Sequence, residues 1–235
     1  ANEGDSILIV SYAEVDDGSV EIAADGLSLT YTPNHDFYGT EEFTYTIQDS
    51  NSATDTATIT VTVNAVNDAP TIIPTDDQII NEDSSTGAIA FTINDVDNSV
   101  DSLTLSATSS NTAVIPNANI VLGGSGTSRT ITITPAADKN TWNKNTLEDN
   151  PVTITITVED ATSSIEDTFT VTVNKINDAP VANADTASVS EDGSISISVL
   201  TNDTDVDLSN EGDELSITSY ANVDFGTVEI AEDLK

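Results

Sequence analysis

Apolar and polar residues alternate along most of the chain in short runs broken by Gly, Pro, Asn and Asp. A period of two puts successive side chains on opposite faces of an extended strand. The first such runs fall at 7–11, 19–22, 27–31, 43–48 and 56–63, with Asp17-Gly18 and Asp25-Gly26 as turn pairs between the early ones. A second set falls at 71–73, 87–93, 102–108, 119–122, 129–134, 152–158 and 167–173. A third falls at 186–189, 194–199, 214–220 and 227–230. Val and Ile are plentiful and Thr and Ser sit between them, which suits half-buried strands. About seven short strands in the middle set predict an all-β Greek-key sandwich. The glycine-rich stretch Gly123-Gly124-Ser125-Gly126 reads as a hairpin loop, since no helix follows it to form a phosphate cradle.

The strand pattern repeats at two scales. VTVNAVNDAP at 61–70 recurs as VTVNKINDAP at 171–180, placing Asn67 and Asn177 110 residues apart, the size of one sandwich. Each copy is a strand closed by Asn, Asp and a Pro that cannot donate to a ladder. A longer match relates 3–25 to 211–233 at an offset of 208, with fifteen of 23 positions identical. The expected organisation is therefore the C-terminal part of one repeat at 1–66 and a complete sandwich at 67–176. The N-terminal part of a further repeat, of the same subtype as the first, follows at 177–235. The opening ANEGDS lacks the features of a signal peptide and reads as internal to a longer chain.

Composition changes the picture through charge. Forty-one acids against five bases give a formal net charge of −36. Nucleic acid and anionic membrane, which call for clustered Lys and Arg, are excluded as partners, and no apolar run is long enough for a membrane-spanning helix. With no Cys there is no disulfide, thiolate zinc site or Cys nucleophile, and the single His35 cannot build a multi-His site. Ser-His-Asp order, Gly-x-Ser-x-Gly and HExxH are all missing, so the expectation is that the protein is not an enzyme.

The acids keep a schedule relative to the joints. After Asp68 come Glu82 at +14, Asp95 at +27 and Asp97 at +29; after Asp178 come Glu191 at +13, then Asp203, Asp205 and Asp207 at +25, +27 and +29. Asp49 precedes Asp68 by 19 residues and Asp160 precedes Asp178 by 18. A sandwich sends alternate loops to opposite ends. Asp95, Asp97 and Asp160 are thus expected at the pole holding Asn67 and Asp68, and Glu82 at the pole facing Asn177 and Asp178. Several carboxylates with Asn and backbone carbonyls in loops match Ca²⁺, which takes six to eight oxygens. Without a cation, two carboxylates about 5 Å apart repel by roughly 1–3 kcal/mol, so such a joint is expected to bend without calcium and stiffen with it. The partners of Asp49 and Glu191 fall outside the sequence, so their sites are expected to be empty; the first joint lacks its preceding repeat's opening Glu and the second its following repeat's late Asp, so each is expected to be underfilled here.

Taken together, the NDAP joint, the ED pair after it, the DVD or DTDVD loop and the VTVN closing strand resemble bacterial cadherin-like tandem repeats. Such repeats occur in long Gram-negative surface adhesins of the RTX type. YTPNHDFYGTEEFTYTIQD and SVLTNDTDVD strengthen the resemblance, which covers nearly the whole chain. It implies immunoglobulin-like or cadherin-like sandwiches in a linear array. It also implies calcium at each joint, held by Glu82, Asn67 or Asn177, Asp68 or Asp178, the pairs Asp95/Asp97 and Asp203/Asp205/Asp207, and Asp160. The cadherin Asp-Arg-Glu triplet is absent; Asp36, Glu41 or Glu148 are the candidate substitutes.

The resulting expectation is a calcium-stiffened extender of an extracellular adhesin or surface fibre, serving adhesion or biofilm by projecting a distal binding domain. Its partners would be calcium ions and neighbouring repeats. One alternative is a glycan- or protein-binding module, carried by Trp142 in KNTWNKN beside Lys139 and Lys144, although a loop Trp more often just caps a sandwich edge. The other is a fibre subunit whose split end repeats complement those of like molecules.

Overall fold

A computed structural model describes residues 6–73, 75–210, 212–221 and 223–230; the outermost residues of the duplicated stretches lie outside these. The chain forms two compact units, Ala1–Asp68 and Ala69–Lys235.

In the first unit β1 (Leu8–Tyr12), β4 (Gly39–Gln48) and β5 (Thr54–Val63) form one antiparallel sheet, and β2 (Gly18–Ile22) pairs with β3 (Leu29–Pro33). β4 and β5 stay in register from Gly39↔Val63 to Gln48↔Thr54. Asp49 closes their turn, its Oδ1 accepting the Asn51 and Ala53 amides at 2.9 and 2.8 Å. Val20 and Phe43 are buried, and Tyr31 stacks on Phe43 with ring centroids 6.2 Å apart. Tyr31 also packs against Gly18, where a Cβ would come within 2.7 Å of the ring and 2.6 Å of the Thr32 carbonyl oxygen. β4 starts four residues before the alternation predicts, because Glu41 turns inward beside Phe43. Its carboxylate is only 8% exposed and accepts the Asp16 and Asp17 amides at 3.3 and 3.2 Å. A buried acid in a strand is satisfied only by such donors.

The second unit carries the sandwich. One sheet has the order β10 (Ile120–Ser125), β11 (Ser128–Ile133), β8 (Ile89–Asn94), β6 (Thr71–Ile73). The other runs β7 (Gln78–Asn81), β15 (Ser164–Asn174), β14 (Val152–Glu159), β9 (Thr104–Ser109). A small hairpin, β12 (Trp142–Asn143) with β13 (Glu148–Asp149), links β11 to β14. The inward rows Ile93, Ile131 and Ile133 from one sheet meet Ile154, Ile156, Val158, Phe169, Val171 and Val173 from the other, all buried. This is the immunoglobulin-like arrangement, two twisted sheets sharing one apolar layer.

The opening strand is shared between the sheets: β6 pairs with β8, while β7 runs parallel to β15. Asp167 and Asp77 pin the crossing, accepting the Thr75 and Thr170 amides at 3.0 and 2.6 Å. Alternation misses β7 because Ile79 is exposed while Gln78 and Ile80 turn inward.

After β15 the predicted strands at 186–189, 194–199, 214–220 and 227–230 join no sheet among the described residues. A Val181↔Thr204 bridge, a 3₁₀ turn at Val199–Thr201 and a short helix at Asp207–Asn210 occur instead. Val189, Ile195, Ile197, Ile217 and Tyr220 stay exposed. A strand needs a neighbour for its backbone and a facing sheet for its apolar row. The described residues provide neither to this segment.

Candidate metal centre

Three stretches of the second unit bring acids to one place. Asn81-Glu82-Asp83-Ser84 closes β7 as a turn, with the Ser84 amide 3.3 Å from the Asn81 carbonyl and Asp83 at φ 58°. The Glu82 amide donates to the Asn174 carbonyl at the end of β15 (2.9 Å), and its carboxylate, 3% exposed, accepts the Ile176 amide at 2.6 Å. Glu82 thereby grips the chain just before Asn177. Asn140 Nδ2 donates to the same carboxylate at 3.3 and 3.5 Å.

The loop after β11 brings the second stretch. Asp138, at φ 54°, donates its amide to Asp83 Oδ1 at 3.1 Å, and Lys139 Nζ donates to the Asp138 carbonyl at 3.1 Å. The joint and the segment after it bring the third. Asp178 donates its amide to Asp207 Oδ2 at 2.7 Å, Asp207 is 3% exposed, and its own amide donates to Asp205 Oδ1 at 2.9 Å. Asp83, Asp138 and Asp178 each place a carboxylate oxygen within 4.8 Å of the others. Burial pushes the Asp178 carboxyl above its ordinary value, and the charges of Asp207, Asp138, Asp83 and Asp205 raise it further. Such a group holds its negative charge at a cost that a proton or a cation removes.

Of the residues singled out from sequence, Glu82, Asn177, Asp178, Asp205 and Asp207 thus lie together. Asn177 folds onto its own joint, Nδ2 donating to the Asp178 carbonyl at 2.6 Å, as Asn67 does to Asp68 at 2.8 Å. Asp203 is turned instead to the Asn183 amide at 2.7 Å. Asp95 is buried, with Oδ1 accepting the Asp97 and Asn98 amides at 2.9 and 2.8 Å and Oδ2 shut from solvent without a hydrogen-bond partner. Asp97 is exposed, and Asp160 accepts the Thr162 and Ser163 amides. Asp36 sits beside His35 at 2.6 Å, Glu41 and Asp49 close loops of the first unit, and Glu148 and Glu191 are exposed. Trp142 is half-buried with Lys175 Nζ 5.3 Å from its ring centroid.

Sequence reasoning missed Asp83, Asp138 and Asn140. Asp138-Lys139-Asn140 shares only the acid-base opening of the Asp-Arg-Glu triplet sought at Asp36, Glu41 and Glu148, with an amide in place of the closing acid.

The bacterial Ig domain family matches residues 1–62 and 177–235, the two stretches related by the internal duplication. No curated protein matches the sequence. Among solved structures, the extracellular cadherin domains 1–5 of protocadherin gamma B2 are similar at 18% identity and a TM-score of 0.47, over 76% of this chain and 34% of that one. Domains 4–9 of the surface layer protein SbsC align at 16% identity and a TM-score of 0.34, over 70% of this chain and 22% of that one. Titin domain M7 aligns at 14% identity and a TM-score of 0.33, over 47% of this chain and 99% of that one. The chain spans about a third of the length of the protocadherin chain.

Proposed function

Since the chain belongs to the bacterial Ig domain family, we propose that it is a calcium-stiffened extender segment of a long extracellular adhesin or surface fibre. The observation that carries this reading is the convergence of Glu82, Asp83 and Asp138 from the sandwich with Asp178 from the joint and Asp205 and Asp207 from beyond it. Ligands drawn from both sides of a joint fix its direction once a cation holds them.

The residues fit a hard divalent cation. The donors are oxygens without exception, carboxylates supplemented by the Asn140 and Asn177 amides and nearby carbonyls, which is the set Ca²⁺ takes. Asp95 Oδ2 gives a separate sign at the other pole, since a buried carboxylate oxygen lacking a donor is unfavourable unless something positive meets it. The residues to hold cations are Glu82, Asp83, Asp138, Asp178, Asp205 and Asp207 at the second joint, and Asp95, Asp97 and Asp160 elsewhere in the second unit. The ion supplies charge neutralisation. The chain's own part is to hold the joint against the sandwich, through the Glu82 clasp on Ile176 and the Asp207 clasp on Asp178.

In this role the protein is a passive spacer outside the cell with neighbouring repeats as its partners, and it projects a binding domain for adhesion or biofilm. Thermal unfolding with calcium and with chelator tests it. A cation that binds only the folded state adds about 2.7 kcal/mol at a hundredfold excess over Kd, so the midpoint rises with calcium. An unchanged midpoint overturns the reading.

A further inference from the structure

The tetrapeptide VTVN closes a long strand in each unit, at 61–64 with β5 and at 171–174 with β15, but its surroundings differ. In the sandwich Val171 and Val173 are fully buried. There β7 lies parallel to them in the register Val171↔Gln78, Thr172↔Ile79, Val173↔Ile80 and Asn174↔Asn81. In the first unit Val61 and Val63 are only half-buried. β5 ends its sheet, and among the described residues it pairs with β4 alone. A strand edge of this length is ordinarily guarded by charge, Pro or a bulge. β5 instead runs in unbroken register along β4, and residues 56–66 hold neither a Pro nor a charged side chain in a protein with 41 acids. Tyr45, Ile47 and Ile59 line a cavity of about 380 Å³ on the apolar face of the same two strands.

A second copy of the β7 pattern occurs further along. Glu82-Asp83 follows β7, and Glu191-Asp192 forms the matching turn, with φ of 58° at Asp83 and 64° at Asp192. Aligned on these pairs, Ala187, Ser188, Val189 and Ser190 correspond to Gln78, Ile79, Ile80 and Asn81. Val189 falls where Ile80 packs on the core, and Ser188 falls where Ile79 faces out. All four residues are exposed and belong to no strand, and residues 186–190 carry no charge. The family match covers both 1–62 and 177–235, so this segment and β5 belong to the same kind of domain. Residues 216–230 repeat residues 8–22, which already form β1 and β2 of the first unit, whereas residues 187–190 have no counterpart there.

We propose that residues 187–190 of one copy of this chain add to β5 of a second copy as a parallel strand. The register is Val61↔Ala187, Thr62↔Ser188, Val63↔Val189 and Asn64↔Ser190, and the backbone of the β5 edge supplies the hydrogen bonds. Glu191 then meets the Val66 amide as Glu82 meets that of Ile176. Segment and edge are different surfaces, so the contact is head-to-tail and builds an open fibre rather than a closed pair. The net charges of the two copies oppose it mainly at low salt, because at about 0.15 M the screening length is about 8 Å and the contacting strands are uncharged. This assignment goes beyond the extender role and stands even if the cation reading fails.

The chain has no Cys, so introduced thiols report one contact without background. Full chains carrying Thr62→Cys or Ser188→Cys, both at exposed positions, are mixed at physiological salt, one of them tagged for size, and joined with a short bismaleimide. The expected result is a cross-linked heterodimer from this pair, in yield well above that of Thr62→Cys mixed with Ser216→Cys. The parent chain should sediment with a mass that keeps rising with concentration, at a Kd of about 1 mM or tighter. Val189 is 53% exposed, so Val189→Asp should keep the thermal midpoint while weakening association by about tenfold or more. Equal yield from the Ser216→Cys pair, a parent chain that stays monomeric at every concentration, or undiminished association of Val189→Asp overturns the proposal.

Discussion

Asp178 has opposite consequences with and without a cation. Its raised carboxyl value means that the stability it contributes is present below its ordinary value near 3.8 and lost as pH rises through the higher folded value. At neutral pH in chelator its charge therefore works against the fold. Asp178→Asn should raise the unfolding midpoint by a few degrees in chelator and shrink the increment that calcium adds; a surface acid without a role would change neither. Asp77 runs the other way. The Thr170 backbone and side-chain hydrogen bonds hold its carboxyl below the ordinary value. Its contribution is present above about pH 3.8 and fades as pH falls through the lowered value. At this scale the sequence is readable only where spacing repeats. The offsets to Asp205 and Asp207 mark both as belonging with Asp178, whereas Asp138 follows no such schedule, since the loop after β11 sets where it arrives.

At the scale of elements, β14 shows what alternation can reveal. Val152, Ile154, Ile156 and Val158 are all buried, and the Thr between them are partly exposed. Ile156→Ala should cost about 2–5 kcal/mol of the sandwich's stability, whereas Ile73→Ala, at a position 62% exposed, should stay within about 0.5 kcal/mol. Urea unfolding followed by Trp142 emission reads the sandwich without the first unit and separates the two. The ED turns were also legible as a pair: Asp83 and Asp192 both take positive φ, at 58° and 64°, in turns closed by the Ser84 and Gly193 amides. The hairpin β12–β13 was illegible because its left-handed residue is Leu147, at φ 58°, where Gly or Asn would ordinarily announce a turn. The stretches expected as strands after residue 180 alternate apolar and polar residues in the sequence, yet hydropathy cannot say whether a partner edge is present to pair with them, and among the described residues they form no strand.

Across the whole molecule the −36 charge is unevenly spent. Acids collect at the turns and joints, and three of the five Lys and Arg lie by Trp142. The all-β class, the sandwich at its centre and the two-part family match follow from alternation and duplication visible in the sequence. The cation reading rests on something finer, the meeting of loops far apart in the chain at Asp83, Asp138 and Asp178. It is tested most directly by calorimetric titration of calcium into the chain and into an Asp138→Asn/Asp178→Asn variant, which keeps side-chain shape and removes two charges. The account predicts saturable calcium uptake by the parent chain and loss of at least one class of sites in the variant. Superimposable isotherms, or no uptake by the parent, would contradict it.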